Sequence, residues 1–136
     1  MKTLFLHILI AILALVAPMH ADEPLEVSMI QLIATPDKFH GKFVRVIGYL
    51  HLEFEGNALY LHREDHLAAI SMNGIWFGGT VETMKTPKVF TDQYMLVEGT
   101  FDSKSHGHMG MWSGAISNVK RVYPWGPFVR GPKPKK

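Results

Sequence analysis

The chain has 136 residues, no cysteine and a formal charge of +2, so disulfides, thiolate metal sites, cysteine nucleophiles and lipobox acylation are all excluded. The charge is unevenly placed: residues 22–129 carry nine Lys and Arg against twelve Asp and Glu, and the excess positive charge sits in Arg130, Lys133, Lys135 and Lys136. Nucleic-acid binders draw most of their affinity from neutralising phosphates, and a mildly acidic body is badly suited to that partner.

The N-terminus reads as a secretory signal over residues 1–21. Lys2 supplies the positive end, Leu4 to Ala17 is almost wholly aliphatic, and Met19-His20-Ala21 offers a cleavage junction before Asp22. The apolar run of about 14 residues is short of the roughly 20 needed to span a membrane, so no transmembrane segment is expected after cleavage. The expected location is periplasmic or secreted. Residues 22–122 are of single-domain size, and residues 123–136 read as a basic tail rich in proline and glycine.

Ser28 reads as the N-cap of a short amphipathic helix carrying Met29, Ile30, Leu32 and Ile33, ended near Thr35 by Pro36. "KFVRVIGYLHLEFE" follows as a long strand. Its two-residue period puts Val44, Val46, Leu50, Leu52 and Phe54 on the core face. Arg45, Tyr49, His51, Glu53 and Glu55 point the other way. Gly48 interrupts the core face, as a glycine does where a strand bends round a barrel. "ALYLH" reads as the returning strand, "REDH" as a charged turn, and "LAAISM" as a third strand broken at Asn73-Gly74 before "IWF". Residues 78–90 read as a long connection with one helical turn at most. "QYMLVEGTF" is the fourth strand and "GMWSGAISNVKRV" the fifth. The expected fold is all-β: a five-stranded antiparallel barrel preceded by a short helix.

"ATPDKFHGKFVRVIGYL" resembles the opening of OB-fold domains in exported bacterial proteins, where a helix and proline turn lead into G-K-x-V-x-V-x-G-Y. "YMLVEGTF" resembles their fourth strand, V-x-V-x-G-x-F. The likeness covers most of residues 28–122. It implies a fold and an export compartment and transfers no catalytic residue.

Four aromatics are candidate ligand-binding residues. Tyr49 and Tyr60 fall on the non-core side of the first hairpin, and Trp76 and Trp112 lie near strand ends, where OB-type barrels meet their ligands. Aromatics so placed would recognise a protein or cell-envelope ligand. In "SHGHMGMWSG", His106 and His108 share a face of an extended chain, which makes them candidate ligands for copper or zinc. The competing reading is a plain hairpin loop, with Met109 and Met111 turned toward the core. His62 and His66 flank "RED" in a charged turn, with a weak metal or acid-base cluster with Glu64 and Asp65 as the alternative. His51 beside Glu53 reads as a water-facing pair on the first strand. The chain lacks a G-x-S-x-G elbow, a phosphate loop and an H-E-x-x-H helix. The reading is therefore a non-catalytic binding or accessory module, with a copper or zinc protein and a hydrolase as alternatives.

Overall fold

The computed structural model describes residues 23–126. The elements run β1 (Leu25–Glu26), α1 (Met29–Ala34), β2 (Phe43–His51), β3 (Ala58–Tyr60), α2 (Arg63–Leu67), β4 (Gly74–Phe77), α3 (Val81–Lys85), α4 (Pro87–Phe90), β5 (Gln93–Asp102) and β6 (Ala115–Pro124). Short 3-10 turns occupy Pro36–Phe39, Ser71–Asn73 and His108–Gly110. Among the described residues no helix is long and apolar enough to cross a membrane. The signal segment over residues 1–21 and the tail cations from Arg130 onward lie outside the described residues.

Five strands close into a barrel in the order β2-β3-β4-β6-β5, with β5 pairing back onto β2. The expectation of a wholly antiparallel barrel is corrected: β4 and β6 run parallel, with Trp76 opposite Ala115 and Phe77 opposite Ile116. The reason is topological. Strand directions can alternate all round a ring only when the number of strands is even, so a closed five-stranded barrel must contain a parallel seam. β1 adds a two-residue parallel pairing on β2.

The inward face follows the alternation read from the sequence. Val44, Val46 and Leu50 of β2 meet Leu59, Ile75, Phe77, Met95, Val97, Phe101 and Ile116 in one buried cluster. Met29 and Leu32 of α1 join it, as does Phe39. Helix α1 is short enough to depend on its cap: Ser28 Oγ accepts from the Gln31 N–H at 3.2 Å, and Gln31 Oε1 accepts from the Ser28 N–H at 2.9 Å. Beyond α1, Ser103 is buried with its hydroxyl donating to Asp37 at 2.9 Å while its N–H donates to His40 Nδ1, which ties the proline turn to the end of β5.

Several elements differ from expectation. Phe54 is 92% exposed, because β2 ends at His51 and residues 54–56 turn, so the alternation no longer applies there. "REDH" begins helix α2, and "LAAISM" is its end, a turn and a 3-10 segment instead of a strand. Asp65 is what imposes this: its carboxylate accepts from the His62 N–H at 3.0 Å and from Asn73 Nδ2 at 2.8 Å, bending the segment back on itself. The connection after Gly78 holds two short helices, the first capped by Thr80 and Thr83 and the second opened by Pro87. β6 begins at Ala115, after the loop containing Trp112, and runs on to Pro124 opposite Met95.

Gly48 sits in ordinary strand conformation, so its role is close approach. A Cβ there would lie 2.6 Å from Leu59 Cγ and 2.9 Å from the Tyr60 carbonyl oxygen. Gly48→Val should therefore destabilise the barrel by about 1–3 kcal/mol through overpacking. Chemical denaturation checks this, and an unchanged midpoint would show that β3 yields freely.

Candidate metal centre

The outward face of β2 is covered over its second half. Register places Tyr49 opposite Tyr60 on β3 and opposite Tyr94 on β5, so three phenols stand in a row across three strands. Two residues on, His51 faces Ala58, whose small side chain leaves space above it. Helix α2 fills that space with His66. Its ring stacks on His51 at 3.8 Å between centroids and lies 5.3 Å from Tyr60 and 6.2 Å from Tyr49. Since Asp65 anchors the whole segment, the placement of His66 depends on a buried carboxylate one residue before it.

Asp92 closes the group from the turn before β5. Its backbone has a positive φ of 60°, a conformation that aspartate visits more readily than most residues. Its N–H donates to the Leu50 carbonyl at 2.8 Å. Asp92 Oδ1 accepts from His51 Nδ1 at 2.7 Å and from the Tyr49 hydroxyl at 3.3 Å. The other edge of His51 faces Glu53, with Nε2 to Oε2 at 3.5 Å.

These contacts set the protonation states. Hydrogen bonding from His51 holds the Asp92 carboxyl below the usual range, against an opposing desolvation effect. Burial, then the neighbouring His51, pushes the His66 imidazole down. Burial, then the Asp92 charge, pushes the Tyr49 phenol up. At neutral pH the group therefore presents an ionised carboxylate, a neutral imidazole and an un-ionised phenol. An anionic oxygen and a neutral imidazole nitrogen are what a divalent transition ion binds.

His51, His66 and Asp92 offer ligand atoms that all lie within 4.8 Å of one another. Tetrahedral zinc with bonds of about 2.0–2.1 Å needs its ligand atoms roughly 3.3 Å apart. Binding would therefore close the longest separation by up to about 1.5 Å and lengthen the 2.7 Å His51–Asp92 contact, and it would require the His66 ring to turn out of its stack on His51, because nearly parallel rings direct their lone pairs side by side. Loading would also replace the proton that His51 Nδ1 donates to Asp92.

The candidate residues from the sequence divide between this group and its neighbours. Tyr49 and Tyr60 are buried and form its wall, with no open face for stacking. Trp112 is buried, with its indole N–H unpaired, and Trp76 is half-buried. The two rings pack edge to face at 5.0 Å and extend the same outer layer away from the histidines. His106 and His108 have separate partners: His106 Nδ1 bonds the Trp112 carbonyl at 2.8 Å, and His108 Nε2 faces Glu55 at 3.5 Å. Gly107 at φ 65°, ψ −160° breaks the extended geometry that would have put them on one face. Met109 and Met111 are exposed, not turned to the core.

His62 stays at the surface as the N-cap of α2, while His66 enters the group. The sequence reading missed Asp92 altogether, since only the closure of β5 onto β2 brings it to His51. Fold and site together define a small mixed β-barrel with a His-His-Asp group on its outer face. Compared with protein-family models, curated proteins and solved structures, the chain matches none.

The outer layer makes a stability prediction that separates its two sets of residues. Trp112→Ala should cost about 3–5 kcal/mol, as large-to-small changes in a packed cluster do. His108→Ala should stay within about 0.5 kcal/mol. Urea unfolding of both variants measures this, and the reverse ranking would contradict the packing described.

Proposed function

We propose that this chain is an exported metal-binding barrel of the OB type, holding one late first-row divalent ion, zinc or copper(II), at His51, His66 and Asp92. The observation that carries the reading is the convergence of two imidazoles and a carboxylate from β2, α2 and the turn before β5. Two nitrogens and one oxygen suit these borderline ions, whereas copper(I) favours thioether or thiolate donors that the group lacks. His106 and His108, the pair that sequence spacing suggests, have separate partners, which favours the other set.

The OB assignment is supported by the strand path, in which β5 returns to lie beside β2 in the Greek-key order β5-β2-β3-β4. Export is supported by the aliphatic run from Leu4 to Ala17 and the junction before Asp22. The intact mass of protein recovered from the cell envelope should correspond to a chain starting at Asp22. Full-length protein retained in the cytosol would contradict export.

A binding module for a protein or envelope ligand is the second reading. What favours it is the exposure of Tyr123 and Trp125 near the end of β6, in place of the covered Tyr49, Tyr60 and Trp112. Envelope binding that survives Trp125→Ala unchanged would count against it.

The metal reading is tested by isothermal titration of the purified full chain with zinc. The expected result is one ion per chain, with binding lost in His66→Ala and retained in His108→Ala. Binding that depends on His106 and His108 instead, or no saturable binding, would reject it.

A further inference from the structure

We propose that the loaded centre is open and activates water, so that the protein hydrolyses carboxylic esters. This rests on the metal reading above and goes beyond it. His51 stands between two carboxylates: Asp92 at Nδ1, 2.7 Å away, and Glu53 at Nε2, 3.5 Å away. The lone pairs of the two imidazole nitrogens point away from each other, so an ion bound at one is out of reach of a carboxylate held at the other. Asp92, one of the three ligands, lies on the Nδ1 side, which puts the ion there. Glu53 is therefore the outer partner that accepts the Nε2 proton once the ion takes Nδ1, the arrangement by which carboxylates orient metal-bound histidines.

Among the described residues, no further histidine, aspartate or glutamate joins the three. A four-coordinate ion held by three protein groups keeps a position for water, which is the pattern of catalytic zinc rather than structural zinc. That position opens to solvent, since the Asp92 side chain is 55% exposed. Zinc lowers the pKa of its bound water to about 7. In the step such a centre would support, hydroxide oxygen held at the ion would bond to the ester carbonyl carbon, and the bond from that carbon to the alcohol oxygen would break. The departing alkoxide would take the proton that the hydroxide carried, the carboxylate would leave, and a new water would take its place and lose a proton to solvent. The sum is ester plus water giving acid plus alcohol, with no change of oxidation state. A single ion matches an acyl carbonyl, whose one developing oxyanion it can stabilise, better than a phosphodiester, for which paired ions clamp both attacking and leaving oxygens.

The test uses the full chain loaded with zinc, with 4-nitrophenyl acetate as substrate and zinc binding followed in parallel by calorimetry. The loaded protein should release 4-nitrophenolate faster than the same concentration of free zinc, and the zinc-free protein should lose this gain. His66→Ala and the isosteric Asp92→Asn should both fall to the free-zinc rate, while His108→Ala keeps the parent rate. Protein that binds zinc but hydrolyses no faster than free zinc overturns the open-centre proposal and leaves metal binding standing. A rate that is unchanged in both His66→Ala and Asp92→Asn overturns it too, by assigning hydrolysis to another part of the surface. Failure to bind zinc at all overturns both readings.

Discussion

At Tyr49 and Leu50, strand β2 is paired along both edges, to β3 on one side and to β5 on the other. This double pairing closes the barrel, and it decides what the outward side chains of β2 can be. A residue at a sheet edge has water on one flank. Tyr49 instead has a tyrosine on each, and the layer above it is completed by His66. The inward residues of the same stretch fill the barrel, while Gly48 lets β3 approach within contact distance. One strand thus organises the hydrophobic core on its inner face and a polar group on its outer face.

The outer layer is built in two halves with different chemistry. Trp76 and Trp112 pack with Ala58 and the tyrosines as a second, smaller hydrophobic cluster under the β5–β6 loop. His51, His66 and Asp92 occupy the other half, toward the turn before β5. Partial burial there removes water that would otherwise stabilise a charged His66, the neighbouring His51 adds to that effect, and the carboxylates of Glu53 and Asp92 oppose it. Burial thus favours the neutral His66 imidazole, whose lone pair a metal ion needs. Asp65 makes this possible by fixing the segment on which His66 rides.

The inner face was legible because alternation is a local property: Val44, Val46 and Leu50 could be assigned from spacing alone. The long strand β2 and the capped helix α1 were legible because they too rest on local sequence. The parallel seam was not, since it follows from the parity of a closed ring and from no residue. Segment 63–73 was misread because Leu67, Ile70 and Met72 imitate a strand pattern although all three are exposed, and because the hydrogen bonds of Asp65 override that pattern. The site was legible only in its parts. Spacing places His51 and Glu53 on a water-facing strand face and His66 in a charged turn, whereas Asp92 carries no local signal. What joins them is the contact between chain segments some forty residues apart, which residue spacing does not encode. At His106 and His108, spacing left a metal pair and a plain loop open, and a single glycine conformation gives the two residues separate partners.

The account stands or falls on where a metal ion sits. Anomalous scattering at the zinc edge from crystals of the zinc-loaded protein locates it directly. The account predicts a peak bonded to His51 Nδ1, His66 and an Asp92 oxygen, with the His51 Nε2 edge turned to Glu53. A peak at His106 and His108, or crystals grown with zinc that show none at the His-His-Asp group, would contradict it.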